Sequence, residues 1–198
     1  MDLKQQLDRR IWPYTLLRHP FYQAWESGQL PVAALQDYAR EYGAFISNLP
    51  AGWETLQDTE TASEEREHID LWAAFAAGLQ TAIGEAQLPA VRRLVGDSRA
   101  LFAKSHTALG ALYAFEVQQP ATAKTKLAGL RQHYSLPASV EPYFEVHSVN
   151  EHEAAKLLAA MAGLSSEHQS EALAACEQMS ASLWDALTDI YNTHCQMV

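Results

Sequence analysis

Apolar residues recur along this chain at spacings of three and four, and no stretch alternates with period two between turn signals. The pattern predicts helices nearly throughout. Leu3 to about Trp12 reads as a short amphipathic helix, punctuated by Pro13. Thr15 to Ser27 reads as a second, stopping at Gly28. Pro31 suits the first turn of a third, which runs to about Asn48. Pro50 interrupts it, and the helical pattern resumes through Trp53 and Leu56. Thr61 with Glu64 makes a capping-box signature for a helix to Leu79, whose apolar stripe is Leu71, Trp72, Phe75 and Leu79. Gly84 to Pro89 is a turn region. Helices follow from Ala90 to about Lys104, from Ser105 past Pro120 to His133, from about Val140 to Met161, and from about Ser166 to His194. Seven or eight helices with short connections, no internal repeat and no linker predict a single all-α bundle over residues 1–198.

Composition narrows the class. A chain of 198 residues with 48% hydrophobic content can bury a sizeable core. The formal net charge of −10, from 14 basic and 24 acidic residues, leaves no basic stripe for a nucleic acid. No apolar run approaches the roughly 20 residues of a membrane span, and Met-Asp-Leu-Lys-Gln-Gln holds no signal-peptide core. Cys176 and Cys195 have no metal spacing and define no disulfide framework, so a cytoplasmic location is expected.

Three stretches carry ionisable groups on apolar faces. Glu116 is the single formally charged residue between Lys104 and Lys124, on a face with Leu109, Leu112 and Tyr113. An ionised carboxylate there is costly unless it is paired or binds a metal. Glu64 and His68 are i,i+4 neighbours, with His68 on the side of Leu71, Trp72 and Phe75. Glu65 and Glu67 read as part of a solvated acidic first turn. His147 and Glu151 are i,i+4 neighbours with Tyr143 one turn earlier, and His152 is rotated from His147 by about 140°. Glu and His projecting inward from facing helices are how carboxylate-bridged metal sites are built in bundles. His106, His133, His168 and His194 read as surface or helix-end histidines, and Cys176 as core.

The stretch from His19 to Leu30, His-Pro-Phe-Tyr-Gln-Ala-Trp-Glu-Ser-Gly-Gln-Leu, resembles the N-terminal signature of TenA/PqqC-type proteins with the haem-oxygenase-like fold. Leu35 to Tyr42 continues it. His68 to Ala76, Ala111 to Glu116 and Tyr143 to His147 resemble the CADD-like branch, and the resemblance spans roughly residues 11 to 160. It implies a seven-helix bundle, a homodimer, and an internal metal pocket holding iron, as a di-iron or an iron/manganese pair. His68, Glu116 and His147 fall in the register of metal ligands. In the para-aminobenzoate-forming members a tyrosine of the chain is consumed and a lysine can donate nitrogen. Those positions correspond to Tyr22 and Lys126, with Tyr38 and Tyr143 as further pocket tyrosines.

The pattern departs from the family at the remaining ligands. Thr61 stands where the first glutamate is expected, and Glu60 or Glu64 could substitute. Glu151 replaces an aspartate, Ala154 replaces the last histidine, and His152 needs a local helix shift to take its place. The expected function is a metal-dependent oxidase, using dioxygen on a small aromatic molecule or on its own tyrosine. The alternatives are a metal-free small-molecule-binding or cofactor-metabolism protein, and a non-enzymatic interaction protein on the same scaffold. Fold alone does not choose among them.

Overall fold

The computed structural model describes residues 2–150 and 152–195. Among these, the regular structure is helical. In chain order the α-helices are α1 (Leu3–Ile11), α2 (Pro20–Glu26), α3 (Val32–Asp37), α4 (Gly43–Ile46), α5 (Leu49–Thr55), α6 (Thr59–Gly78), α7 (Pro89–Phe102), α8 (Ser105–Glu116), α9 (Gln119–His133), α10 (Pro142–His147), α11 (His152–Ala162) and α12 (Ser166–Cys195). The all-α expectation holds, while several boundaries move for identifiable reasons.

α8 is the axis of the bundle. Ala108 to Glu116 are buried without interruption, as befits a helix that is apolar all round. It packs along α12, the longest helix, and is flanked by α5, α7 and α11. Gly110 permits the α8–α12 approach, because a Cβ there would collide with the Ala172 carbonyl oxygen. α6, α9 and α10 close one side of the bundle, with α2 against α9.

Three predicted long helices are divided. The one expected from Ser105 to His133 breaks at Val117–Gln118, because Pro120 at the second position of α9 lacks the donor that would continue α8. Glu116 is therefore the last residue of a helix. The one expected from Val140 to Met161 ends at His147 and restarts at His152. Thr15–Ser27 is one short 3-10 turn, Leu16–Arg18, followed by α2, whose first residue is Pro20. The third predicted helix contains a π segment, Tyr38–Tyr42, between α3 and α4. π turns inside helices are rare and concentrate at functional sites. This one buries Tyr38, Ala39, Glu41 and Tyr42 together, and Trp72 Nε1 donates to the Ala39 carbonyl at 2.8 Å.

Candidate metal centre and aromatic cage

The buried stripe of α6 is Thr61, Ala62, Glu65, His68, Trp72, Phe75 and Ala76. This spacing turns Glu65 and His68 inward on one face and leaves Glu64 exposed. α10 supplies His147, and α11 begins with an exposed His152 and a buried Glu153. One donor atom each of Glu65, His68 and His147 lie within 4.8 Å of one another. The two imidazole centroids are 4.4 Å apart. Glu116 and Glu153 stand outside this trio but close enough for their charges to act on it.

The electrostatics of this cluster are unbalanced without a cation. Glu65, Glu116 and Glu153 are 1%, 3% and 2% exposed. Glu65 Oε2, His68 Nδ1, Glu116 Oε1 and Glu153 Oε1 have no hydrogen-bond partner. Among the described residues the ion-pair partners of these carboxylates are histidines: His68 Nδ1 lies 3.4 Å from Glu65 Oε1, and His152 Nε2 lies 3.9 Å from Glu153 Oε1. Burial raises the Glu116 carboxyl well above its ordinary range, and the charges of Glu65 and Glu153 push the same way. Burial also raises Glu153, against a hydrogen bond from Asn150. For His68, burial alone would lower the pKa, but Glu65, Glu153 and Glu64 outweigh it and the imidazole is raised. Carboxylates with orphaned oxygens beside two imidazoles fit a divalent metal, which Glu65, His68 and His147 are close enough together to hold and whose charge would also offset those of Glu116 and Glu153.

His147 is prepared as a neutral ligand. Burial, with His68 adding to it, lowers its pKa to about 3. Its Nδ1 lies 2.7 Å from the Tyr143 carbonyl and donates to it, which leaves the Nε2 lone pair free. The Tyr143 ring stacks on the same imidazole at 4.1 Å, and Trp72 meets Tyr143 edge-on at 4.7 Å.

Several sequence expectations are corrected here. Glu64 does not join the buried cluster, and Glu65, read as a solvated first-turn acid, does. His152 does not replace the missing histidine, because the chain leaves the helix after His147 and restarts in a different phase. Its side chain is 68% exposed. Glu153, one residue on, is the α11 side chain that turns inward. Glu151 lies outside the described residues. Thr61 takes no part in the cluster as a carboxylate would, and its hydroxyl accepts from Lys156 Nζ at 2.9 Å.

Beside the cluster lies an aromatic cage around Lys126. Lys126 is 2% exposed and its Nζ donates to the Tyr38 hydroxyl at 3.1 Å. The same nitrogen sits 5.4 Å from the Tyr22 ring centroid, 5.5 Å from that of Tyr38 and 5.0 Å from that of Phe144. Burial among these rings lowers the Lys126 pKa to about 7. Tyr22 is 2% exposed and is pushed up to about 12 by burial, against hydrogen bonds to Tyr38 and Thr122. Trp25 Nε1 donates to the Lys126 carbonyl at 3.1 Å, which ties α2 to α9. Gly129 makes room for this, since a Cβ there would lie 2.7 Å from Trp25 Cδ1. Gln119 Nε2 reaches the Tyr143 hydroxyl at 3.3 Å, and the Lys126 amine is near enough to act electrostatically on His147, so cage and cluster adjoin. A cavity of about 370 Å³ reaches Glu116 past Pro120, Ala121, Lys124 and Ala154.

The sequence model of a family described as iron-containing redox enzymes matches residues 37–185. The chain is 30% identical to a 4-aminobenzoate synthase of Nitrosomonas europaea, over 97% of this chain and 92% of that protein. It is 29% identical to a 4-aminobenzoate synthase of Chlamydia pneumoniae, over 94% of each. Among solved structures, a TenA homologue from Pseudomonas syringae pv. tomato superposes with a TM-score of 0.81 at 14% identity, over 96% of this chain and 93% of that one. A CADD-like protein from Nostoc punctiforme does so with a TM-score of 0.66 at 18% identity, over 96% and 94%.

Proposed function

The chain belongs to the iron-containing redox enzyme family, and on that premise we propose that it is a metal-dependent oxidase forming 4-aminobenzoate, with its own Tyr22 as the source of the ring and Lys126 as the source of nitrogen. The observation that carries this reading is the juxtaposition of Tyr22 and Lys126. The Lys126 Nζ lies 5.4 Å from the Tyr22 ring centroid, buried in an aromatic cage that borders the Glu/His cluster. Burying an amine costs free energy that a methionine of similar size would not incur.

Glu65, His68 and His147 would hold the metal, with Glu116 and Glu153 supplying further charge. Iron bound there supplies the oxidising chemistry, with dioxygen as the electron acceptor. The remaining roles belong to the chain. Phe144, Tyr38 and Trp25 exclude water from the Lys126 nitrogen. With its pKa near 7, Lys126 carries a free lone pair in a substantial fraction of molecules at neutral pH. Tyr38 holds that nitrogen at 3.1 Å and also hydrogen-bonds Tyr22, so one hydroxyl orients both groups.

The test is a single-turnover assay of the iron-loaded protein under dioxygen, with product quantified by mass spectrometry. At most one 4-aminobenzoate per chain is expected, with mass changes at residue 22, which gives up its ring, and at residue 126, which gives up its nitrogen. Tyr22→Phe and Lys126→Arg should abolish product while retaining metal. Product from Tyr22→Phe would mean that an external small aromatic molecule supplies the ring.

A further inference from the structure

Glu64 immediately precedes Glu65 on α6 and therefore points about 100° away from it, toward solvent. There it meets the start of α11. One donor atom each of Glu64, His152 and Glu153 lie within 4.8 Å of one another. Glu64 and His152 are exposed, whereas Glu153 is 2% exposed and its Oε1 has no hydrogen-bond partner. That orphaned oxygen lies 3.9 Å from His152 Nε2. Among the described residues no lysine or arginine is ion-paired with any of the three. A cavity of about 390 Å³ lies alongside, lined by Glu64, His68, Asn150 and His152 among others.

We propose that Glu64, His152 and Glu153 form an outer site for a divalent transition-metal ion, and that the ion passes from it to the buried Glu65–His68–His147 cluster. Two carboxylates and one imidazole suit iron(II) or manganese(II). The buried, unpartnered Glu153 oxygen is the reason the site is more than a group of surface acids. His68 lines the cavity and also belongs to the inner trio, so the same space that exposes Glu64 and His152 ends at an inner ligand. The resemblance offers Glu64 and His152 as stand-ins for ligands of the inner centre, whereas the structure gathers them with Glu153 in a separate group outside it. The transfer step rests on reading the inner cluster as the metal centre; the outer site does not.

Manganese(II) alone is the probe, with binding followed by equilibrium dialysis and electron paramagnetic resonance. The wild-type chain should bind two ions of unequal affinity. The double variant Glu64→Gln/His152→Ala changes exposed residues and should leave the helical circular dichroism intact. It should lose one ion, the more weakly held, and fill the inner site at least tenfold more slowly. Glu65→Gln/His147→Ala should lose the other ion and keep the outer one. If Glu64→Gln/His152→Ala binds manganese as the wild type does, the outer site is overturned while the inner centre stands. If the only ion bound is lost in that variant and survives in Glu65→Gln/His147→Ala, the outer site stands and the proposed catalytic centre fails. Loss of the outer ion with an unchanged filling rate overturns the transfer role.

Discussion

Tyr143 holds His147 twice: its carbonyl takes the Nδ1 proton at 2.7 Å, and its ring stacks on the imidazole at 4.1 Å. The main-chain contact fixes the tautomer, and the ring fixes the plane. Tyr143→Phe preserves both, so its metal affinity should stay within about threefold of the wild type. Tyr143→Ala keeps only the carbonyl, and affinity should fall about 10- to 100-fold, the range seen when the groups that orient a ligand are removed. His147→Ala should release the metal outright. Dialysis against manganese(II) reads all three.

Glu116→Gln should act oppositely on the metal-free and metal-bound protein. The folded-state pKa of Glu116 is raised above its unfolded value of 4.5. The metal-free protein therefore loses stability as pH climbs from 4.5 toward the raised value, where the unfolded chain ionises first. Glutamine removes that loss. At pH 7 the metal-free variant should unfold at higher denaturant than the wild type, while its metal affinity drops. A variant equal to the wild type in both measurements would place Glu116 outside the centre's electrostatics.

Lys126 sets a pH dependence with a defined window. Its folded-state pKa is about 7 against 10.5 in the unfolded chain, because burial disfavours the ammonium. Between those values the unfolded chain binds a proton that the folded chain does not. Stability should rise with pH across this window, by up to about 1.4 kcal/mol per pH unit. Lys126→Met should flatten that slope and be more stable than the wild type at pH 7. Urea unfolding at pH 7, 8 and 9 measures the difference.

Gly129→Ala tests the contact that sets α2 against α9. The added Cβ would meet Trp25 Cδ1 at 2.7 Å, and the Trp25 ring has packed neighbours in Tyr38 and Phe144. The expected cost is about 1–3 kcal/mol, typical of overpacking. Because Trp25 also bonds the Lys126 carbonyl, the nitrogen's place in the cage should shift, and the titration of Lys126 with it.

Much of the fold is legible in the sequence because the apolar stripes repeat over several turns. α6, α7 and α12 start and stop close to where Pro89, Gly163 and the stripes themselves place them. The site is legible in kind and less so in identity. Glu64 and Glu65 are adjacent, and the i,i+4 spacing to His68 favours Glu64. The longer run Thr61, Glu65, His68, Trp72, Phe75 is the signal that selects Glu65 instead. Glu153 has a similar signal in Glu153, Leu157, Met161, four residues apart, all buried. It is hidden by the break after His147, which resets the helical phase. A run of residues read as one helix cannot reveal such a reset, because each side of the break is periodic on its own. The convergence of Lys126 on Tyr22 joins residues 104 positions apart in sequence, and no local pattern encodes it.

The π segment Tyr38–Tyr42 gives the interior a dependence on chain length as well as on side-chain identity. A π turn carries one more residue than an α turn. Removing Arg40 would let the segment close as an α-helix, and α3 would then be rotated by about 100° relative to α4. Tyr38 and Tyr42 now stack at 4.9 Å, and Tyr38 is the hydroxyl that holds Lys126. The deletion should keep the far-UV helical signal, dissolve the near-UV signal of the stacked rings, and free the Lys126 amine from its tyrosine. A one-residue gain or loss between Asp37 and Gly43 could thus separate descendants of one ancestor that wall the cage with this tyrosine from descendants that do not, with every other residue unchanged.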